Sequence, residues 1–166
     1  MLPIIESWRT VATSPDYALA TWQQVFAVIW RRETTLEGAG HLRSACTAFA
    51  QHHPKGIGLL TIVESGAPLP VSAVRKEIAA FLGDASSFIK CSAVIFEGSG
   101  FRAASVRSVV TGLTLLARQA YPHKVCDLDE AARMFSEILP RATGRALSSE
   151  AMRSSLAELR STLDKS

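Results

Sequence analysis

The sequence has little of what usually announces a function. It holds three cysteines, Cys46, Cys91 and Cys126, far apart and each in an apolar setting. They form no Cys-x-x-Cys pair and no ligand cluster. That argues against a zinc site or a disulfide framework, and for buried thiols in a reducing compartment. No metal and no cofactor is expected. No apolar run approaches the roughly 20 residues that span a bilayer. Met1 to Trp8 carries no basic stretch ahead of an apolar core, so no secretion signal is expected and the chain reads as cytoplasmic. The basic residues are scattered and the formal net charge is only +3, so nucleic acid is not an expected partner. There is no Gly-x-Ser-x-Gly elbow around Ser99, and His41, His52, His53 and His123 have no spacing that marks a general base. Internal repeats and low-complexity tracts are also missing.

What the chain does have is apolar residue in a regular arrangement. Its 166 residues are 48% hydrophobic, enough for one buried core. The stretch from Lys90 to Tyr121 is the most legible. Ala93 to Phe96 is an apolar run without polar alternation, as in a strand covered on both faces. Gly98 and Gly100 then permit a turn. Phe101, Val106, Val109, Val110, Leu113, Leu116 and Ala117 recur at helical spacing, and Pro122 ends that helix.

The rest of the chain repeats this unit. Residues 1–15 read as an N-terminal arm in which Ile4, Ile5 and Trp8 can dock on the domain. Asp16 to Gln24 and Val25 to Trp30 read as two strands, although the junction at Gln23-Gln24 lacks a glycine or Asn-Gly turn; one long bent strand is the alternative. Thr35 is placed to cap a helix from Leu36 to His52, with Leu42, Ala45, Cys46, Phe49 and Ala50 as its buried stripe. Gly56 to Val63 is the next strand. Pro70 suits the first position of a helix carrying Val71, Val74, Ile78, Phe81 and Leu82, with Gly83 as its cap. His123 to Cys126 is a short fifth strand. Asp127 and Glu130 form a capping box for a helix that buries Ala131, Met134, Phe135 and Ile138 and stops near Pro140. A linker, Arg141 to Arg145, leads to a last helix capped by Ser148 or Ser149.

The expected order is β-β-α-β-α-β-α-β-α with an extra helix: an α/β domain at 16–140, built on an open, mixed, five-stranded sheet flanked by helices, followed by a linker and amphipathic helix at 141–166. The order resembles the STAS domain (sulfate transporter and anti-sigma-factor antagonist) over roughly Asp16 to Leu139. Three pieces carry the resemblance: the apolar pair of strands from Tyr17 to Trp30 followed by a helix, Ala93-Val-Ile-Phe-Glu with its glycine turn, and Val125-Cys-Asp-Leu-Asp-Glu-Ala-Ala-Arg-Met-Phe135. It implies a non-catalytic, regulatory module that binds a protein partner or a small ligand. Phosphorylated members of that group carry an Asp-Ser pair after the third strand. Here that region reads Glu64-Ser65-Gly66, with Ser72 after Pro70, so Ser65 and Ser72 are the positions the resemblance offers for phosphorylation.

Ligands of open α/β sheets sit beyond the C-terminal ends of the parallel strands. The candidate ligand or partner edge therefore holds Glu64, Ser65, Gly66 and Ser72 after one strand and Glu97, Gly98, Ser99, Gly100 and Arg102 after the next. Amides at Ser99, Gly100 and Phe101, with Arg102 close by, suit a small anion such as a phosphate or carboxylate, whereas Glu97 opposes one. Glu64 and Glu97 together offer a carboxylate pair for acid–base or metal chemistry, against the plainer alternative of solvated strand ends paired with Arg75 or Arg102. Trp8, Trp22 and Trp30 line either a pocket or the core. The last helix has Met152, Leu156, Leu159 and Leu163 on one face. That face must be covered by the chain's own sheet or by a second copy in a homo-oligomer.

Overall fold

Val25–Trp30 is six successive buried residues, and its composition explains its place. A strand that is apolar on both faces is stable only between two covered faces. A computed structural model describes residues 6–98 and 101–165, with the backbone alone at 101–103, 114 and 116. Among these residues are six strands in one sheet, in sequence order: β1 (Arg9–Thr13), β2 (Tyr17–Trp22), β3 (Val25–Trp30), β4 (Ile57–Val63), β5 (Ile89–Phe96) and β6 (His123–Val125). The first three pair antiparallel and the last four pair parallel. The helices are α1 (Leu36–Gln51), α2 (Ser72–Asp84), α3 (Phe101–Ala117), α4 (Leu128–Thr143) and α5 (Ser149–Asp164). None of the described helices is long and apolar enough to cross a membrane.

The α/β class holds, but five strands become six. The extra strand, β1, lies in what the sequence suggests is an arm. Its register slips at Val11, which is half exposed, so it is a bulged edge strand whose pattern is too weak to read. Ile4 and Ile5 lie outside the described residues. The β2–β3 connection is a two-residue hairpin, with Trp22 opposite Val25 and Gln23 at a φ of +50°. A glutamine there is unfavourable locally. Tertiary contacts hold it: the buried Gln24 accepts from the Gly58 amide at 2.9 Å, and its side-chain amide donates to the Arg145 carbonyl at 3.3 Å.

Sheet order decides which helices go where. Strands β3 to β6 follow one another in space as in sequence. Right-handed crossovers then deliver α1, α2 and α3 to one face. Tyr17, Leu19, Phe26, Trp30 and Leu59 pack there with Leu42, Cys46, Phe81 and Leu82. The opposite face, Ala20, Trp22, Ala27, Ile29, Leu60 and Ala93, is left for α4 and α5, which bring Phe135, Leu139, Met152 and Leu156 to it. The apolar stripe of α5 is thus covered by its own sheet. Met152, Leu156, Leu159 and Leu163 are all buried within the chain and are not available as an oligomer face. Trp8 stacks on Trp22 and donates to Ser155 of α5 at 3.0 Å, tying the N-terminal segment to the same layer.

The capping residues Thr35, Asp127 and Ser148 accept from the amides of Gly38, Glu130 and Ala151 as their positions suggest. Other boundaries move. Pro70 lies before α2, which starts at Ser72 with Val71 as its N-cap. Gly83 is inside α2 rather than after it: a Cβ there would lie 2.6 Å from the Ala117 carbonyl oxygen, so glycine lets α2 and α3 touch at their C-terminal ends. Helix α4 passes through Pro140 and ends at Gly144, whose φ of +75° makes the left-handed cap. The expected linker is therefore mostly helix. Strand β5 begins at Ile89, earlier than the apolar run suggests, after a single 3-10 turn at Ala85–Ser87.

Because Met152 is fully buried between α4 and the sheet, Met152→Ala is expected to cost about 2–5 kcal/mol. Urea unfolding measures it. A loss under 1 kcal/mol would mean α5 does not cover this face.

Candidate functional site

The carboxyl ends of β3, β4 and β5 form one edge, as the parallel strands require. The Glu64 amide donates to the Trp30 carbonyl at 3.0 Å and the Glu97 amide to the Val63 carbonyl at 2.9 Å, so both turns lie side by side. Ser65, Gly66 and Gly98 are exposed there, and Ser72 is exposed at the first position of α2. Ser99 and Gly100 lie outside the described residues, as does the side chain of Arg102.

What the sequence does not announce is that α5 reaches this edge. Arg160 donates from Nη2 to Glu64 Oε2 at 2.8 Å and also bonds Glu97 Oε1. Arg31 bonds the other Glu64 oxygen at 3.4 Å, the Leu163 carbonyl at 3.4 Å and Asp164 at 3.2 Å. Burial alone would lower the Arg160 pKa. The hydrogen bond and charge of Glu97, with Glu64 behind it, outweigh burial and hold the guanidinium above its ordinary range. The two carboxylates are therefore joined through one cation, not poised as an acid and a base. Among the described side chains their partners are Arg160 and Arg31, and not Arg75. Among the described residues no group of histidine, cysteine and carboxylate side chains is placed to hold a metal. The arrangement works as a clasp that fastens the end of α5 to the sheet edge.

A second feature lies behind that edge, on the α1–α3 face. Packing there divides into two clusters. One joins α1 and α2 to β2, β3 and β4; the other is Val94, Val106 and Val110, joining α3 to β5. Between them is a cavity of about 80 Å³. Its shape follows from side-chain size. The floor carries Thr61 and Ser92, too short to reach across, and the α3 wall carries Val106, Val109 and Val110, which are equally short. Trp30, Leu59, Ile78 and Leu82 close the sides, and Pro68, Leu69 and Pro70 form the rim. Through Trp30, Val63 and Pro68 to Pro70 the lining reaches the carboxyl-end edge of the sheet, where α/β folds bind ligands.

The floor is chemically unusual. Ser92 and His123 are paired neighbours on β5 and β6. The Ser92 hydroxyl is fully buried and has no hydrogen-bond partner, and His123 Nδ1 is buried without one. Buried polar atoms in folded proteins nearly always have partners, so two orphans lining one cavity point to something that fills it. Burial pushes the His123 pKa down to about 4, so the ring is neutral at pH 7. Among the described lining residues there is no Asp, Glu, Lys or Arg.

Comparison with protein-family models, with curated proteins and with solved structures returned no match for this chain.

The remaining residues singled out from the sequence are structural. Burial pushes the Cys46 and Cys91 thiols up to about 12, and Cys126, half-buried, is raised to about 11 by burial, by Glu130 and by Asp127 against Lys124. His41 bonds the Tyr17 hydroxyl, and His53 bonds the Phe49 carbonyl of its own helix. Of the three tryptophans, Trp30 lines the cavity while Trp8 and Trp22 pack together.

The lowered His123 pKa has a thermodynamic consequence. The unfolded chain, with a histidine pKa near 6.5, binds this proton more readily than the folded one. Stability contributed by neutral His123 is whole above that pH and is lost as pH falls from about 6.5 toward 4. Thermal unfolding of wild type and His123→Leu between pH 7.5 and 4.5 is expected to show a shallower acid limb in the variant; parallel limbs would mean the imidazole is solvated.

Proposed function

We propose that this protein is a non-catalytic binding module that carries or senses a small, largely apolar molecule, held between the sheet and helices α2 and α3. The observation that carries the reading is the apolar cavity with two unpartnered polar atoms on its floor. Its volume is about half that of a closed cavity that admits benzene, roughly 150 Å³. It therefore receives one end of a ligand. The remainder has a surface to lie on: Leu69 at the rim is 41% exposed, and Val71, next in the chain to the rim, is 68% exposed. Apolar side chains exposed at the rim give that remainder something to bury.

This keeps the small-ligand half of what the STAS resemblance implies and moves the site. The ligand lies behind the strand-end turns, against β4, β5 and β6, instead of on the turns themselves. The exposed Leu69 and Val71 favour a second reading, in which a regulatory protein partner docks at the edge bearing Ser65, Gly66 and Ser72. The two readings are compatible where ligand occupancy alters the rim.

Toluene titrated into the methyl-labelled protein is expected to shift the Leu82, Val106 and Val110 signals at saturable occupancy. Val110→Phe, which puts a ring into the cavity, should weaken binding at least tenfold. Shifts confined to Leu69 and Val71, or unaffected by Val110→Phe, would refute the cavity reading and leave the docking edge.

A further inference from the structure

Resting on the proposed cavity reading, we infer that the ligand is an uncharged amphiphile: an apolar body ending in one neutral hydrogen-bonding group, a hydroxyl or a carbonyl, seated between Ser92 and His123. Three observations converge on this class. Apolar walls, including Leu59, Leu82 and Val106, exclude a polar body such as a sugar or a nucleotide, whose many donors and acceptors would go unpaired there. The two orphaned atoms demand a polar head. Ser92 Oγ can donate and accept, and His123 Nδ1 does one or the other according to tautomer, so one hydroxyl can satisfy both at once. A carbonyl can accept from both when Nδ1 carries the proton.

The third observation concerns charge. Arg31 and Arg160 at the sheet edge are both engaged with Glu64, and neither lines the cavity. The described lining offers no counter-ion, and the neutral imidazole of His123 supplies none at pH 7. A carboxylate or ammonium head would lose its water without compensation. Fatty-acid anions and amines are therefore disfavoured relative to alcohols, aldehydes and ketones of the same body.

The test uses three probes with the same ring: ethylbenzene, benzyl alcohol and benzoate. Each is titrated at pH 7.5 into wild type and into Ser92→Ala, a substitution that removes one oxygen. Ethylbenzene and benzyl alcohol differ only in a methyl against a hydroxyl, so the comparison across variants isolates the head group. In Ser92→Ala, benzyl alcohol is expected to bind about fivefold more weakly, the factor for one hydrogen bond worth about 1 kcal/mol, while ethylbenzene binds equally or more tightly. Benzoate should not bind either protein measurably. If ethylbenzene binds but Ser92→Ala leaves benzyl alcohol unchanged, or benzoate binds best, the head-group assignment is wrong while the cavity reading survives. If none of the three binds, the two orphans are served by trapped water and both inferences fall.

Discussion

The structure depends on a sheet whose central strands are apolar on both faces. Val25–Trp30 has no solvent side, and β4 and β5 are nearly as apolar. Two helical layers are then obligatory. Because the parallel strands follow each other in order, handedness commits the first three helices to one layer. The second layer falls to the C-terminal helices, and this explains why α5, which lies outside the span of the STAS resemblance, is built into the core through Met152 and Leu156. The clasp of Arg160 on Glu64 and Glu97 fastens the far end of that helix. Such partly exposed pairs contribute little stability by themselves, so its role is chiefly to fix position.

The two layers are filled unequally. On the α4–α5 face, Phe135, Leu139 and Trp22 interlock with small strand residues such as Ala20, Ala27 and Ala93. On the other face short side chains oppose short side chains, Ser92 and Thr61 against the valines of α3, and a gap results. Void space costs packing energy, and unpaired buried hydroxyls cost more. Both costs occur at one place, a cavity on the α1–α3 face behind the strand-end turns. That coincidence is the physical basis for proposing the site.

Much of the fold was legible. Apolar runs located β2 to β5, and Thr35, Asp127 and Ser148 marked helix starts, because burial and capping are local in sequence. The missed features are nonlocal. Strand β1 is an exposed, bulged edge with no pattern to read. Pro140 suggested a helix end, yet α4 continues past it to Thr143, whose buried hydroxyl donates to the Leu139 carbonyl, and Gly144 makes the cap. Glu64 and Glu97 were recognisable as neighbours, but their shared partner Arg160 lies far along the chain. The cavity was hidden for the same reason. A serine inside the apolar run Ile89–Phe96 was a signal available in sequence, but its meaning depends on register, which sets Ser92 beside His123 and opposite the valines of α3.

The most direct test of this account is a crystal structure of the protein pressurised with xenon, an atom that enters apolar voids and has no hydrogen bonds to make. The account predicts a xenon site bounded by Thr61, Ser92, Leu82 and Val110. Side chains of α3 closed tightly onto Thr61 and Ser92, with no xenon between them, would contradict it.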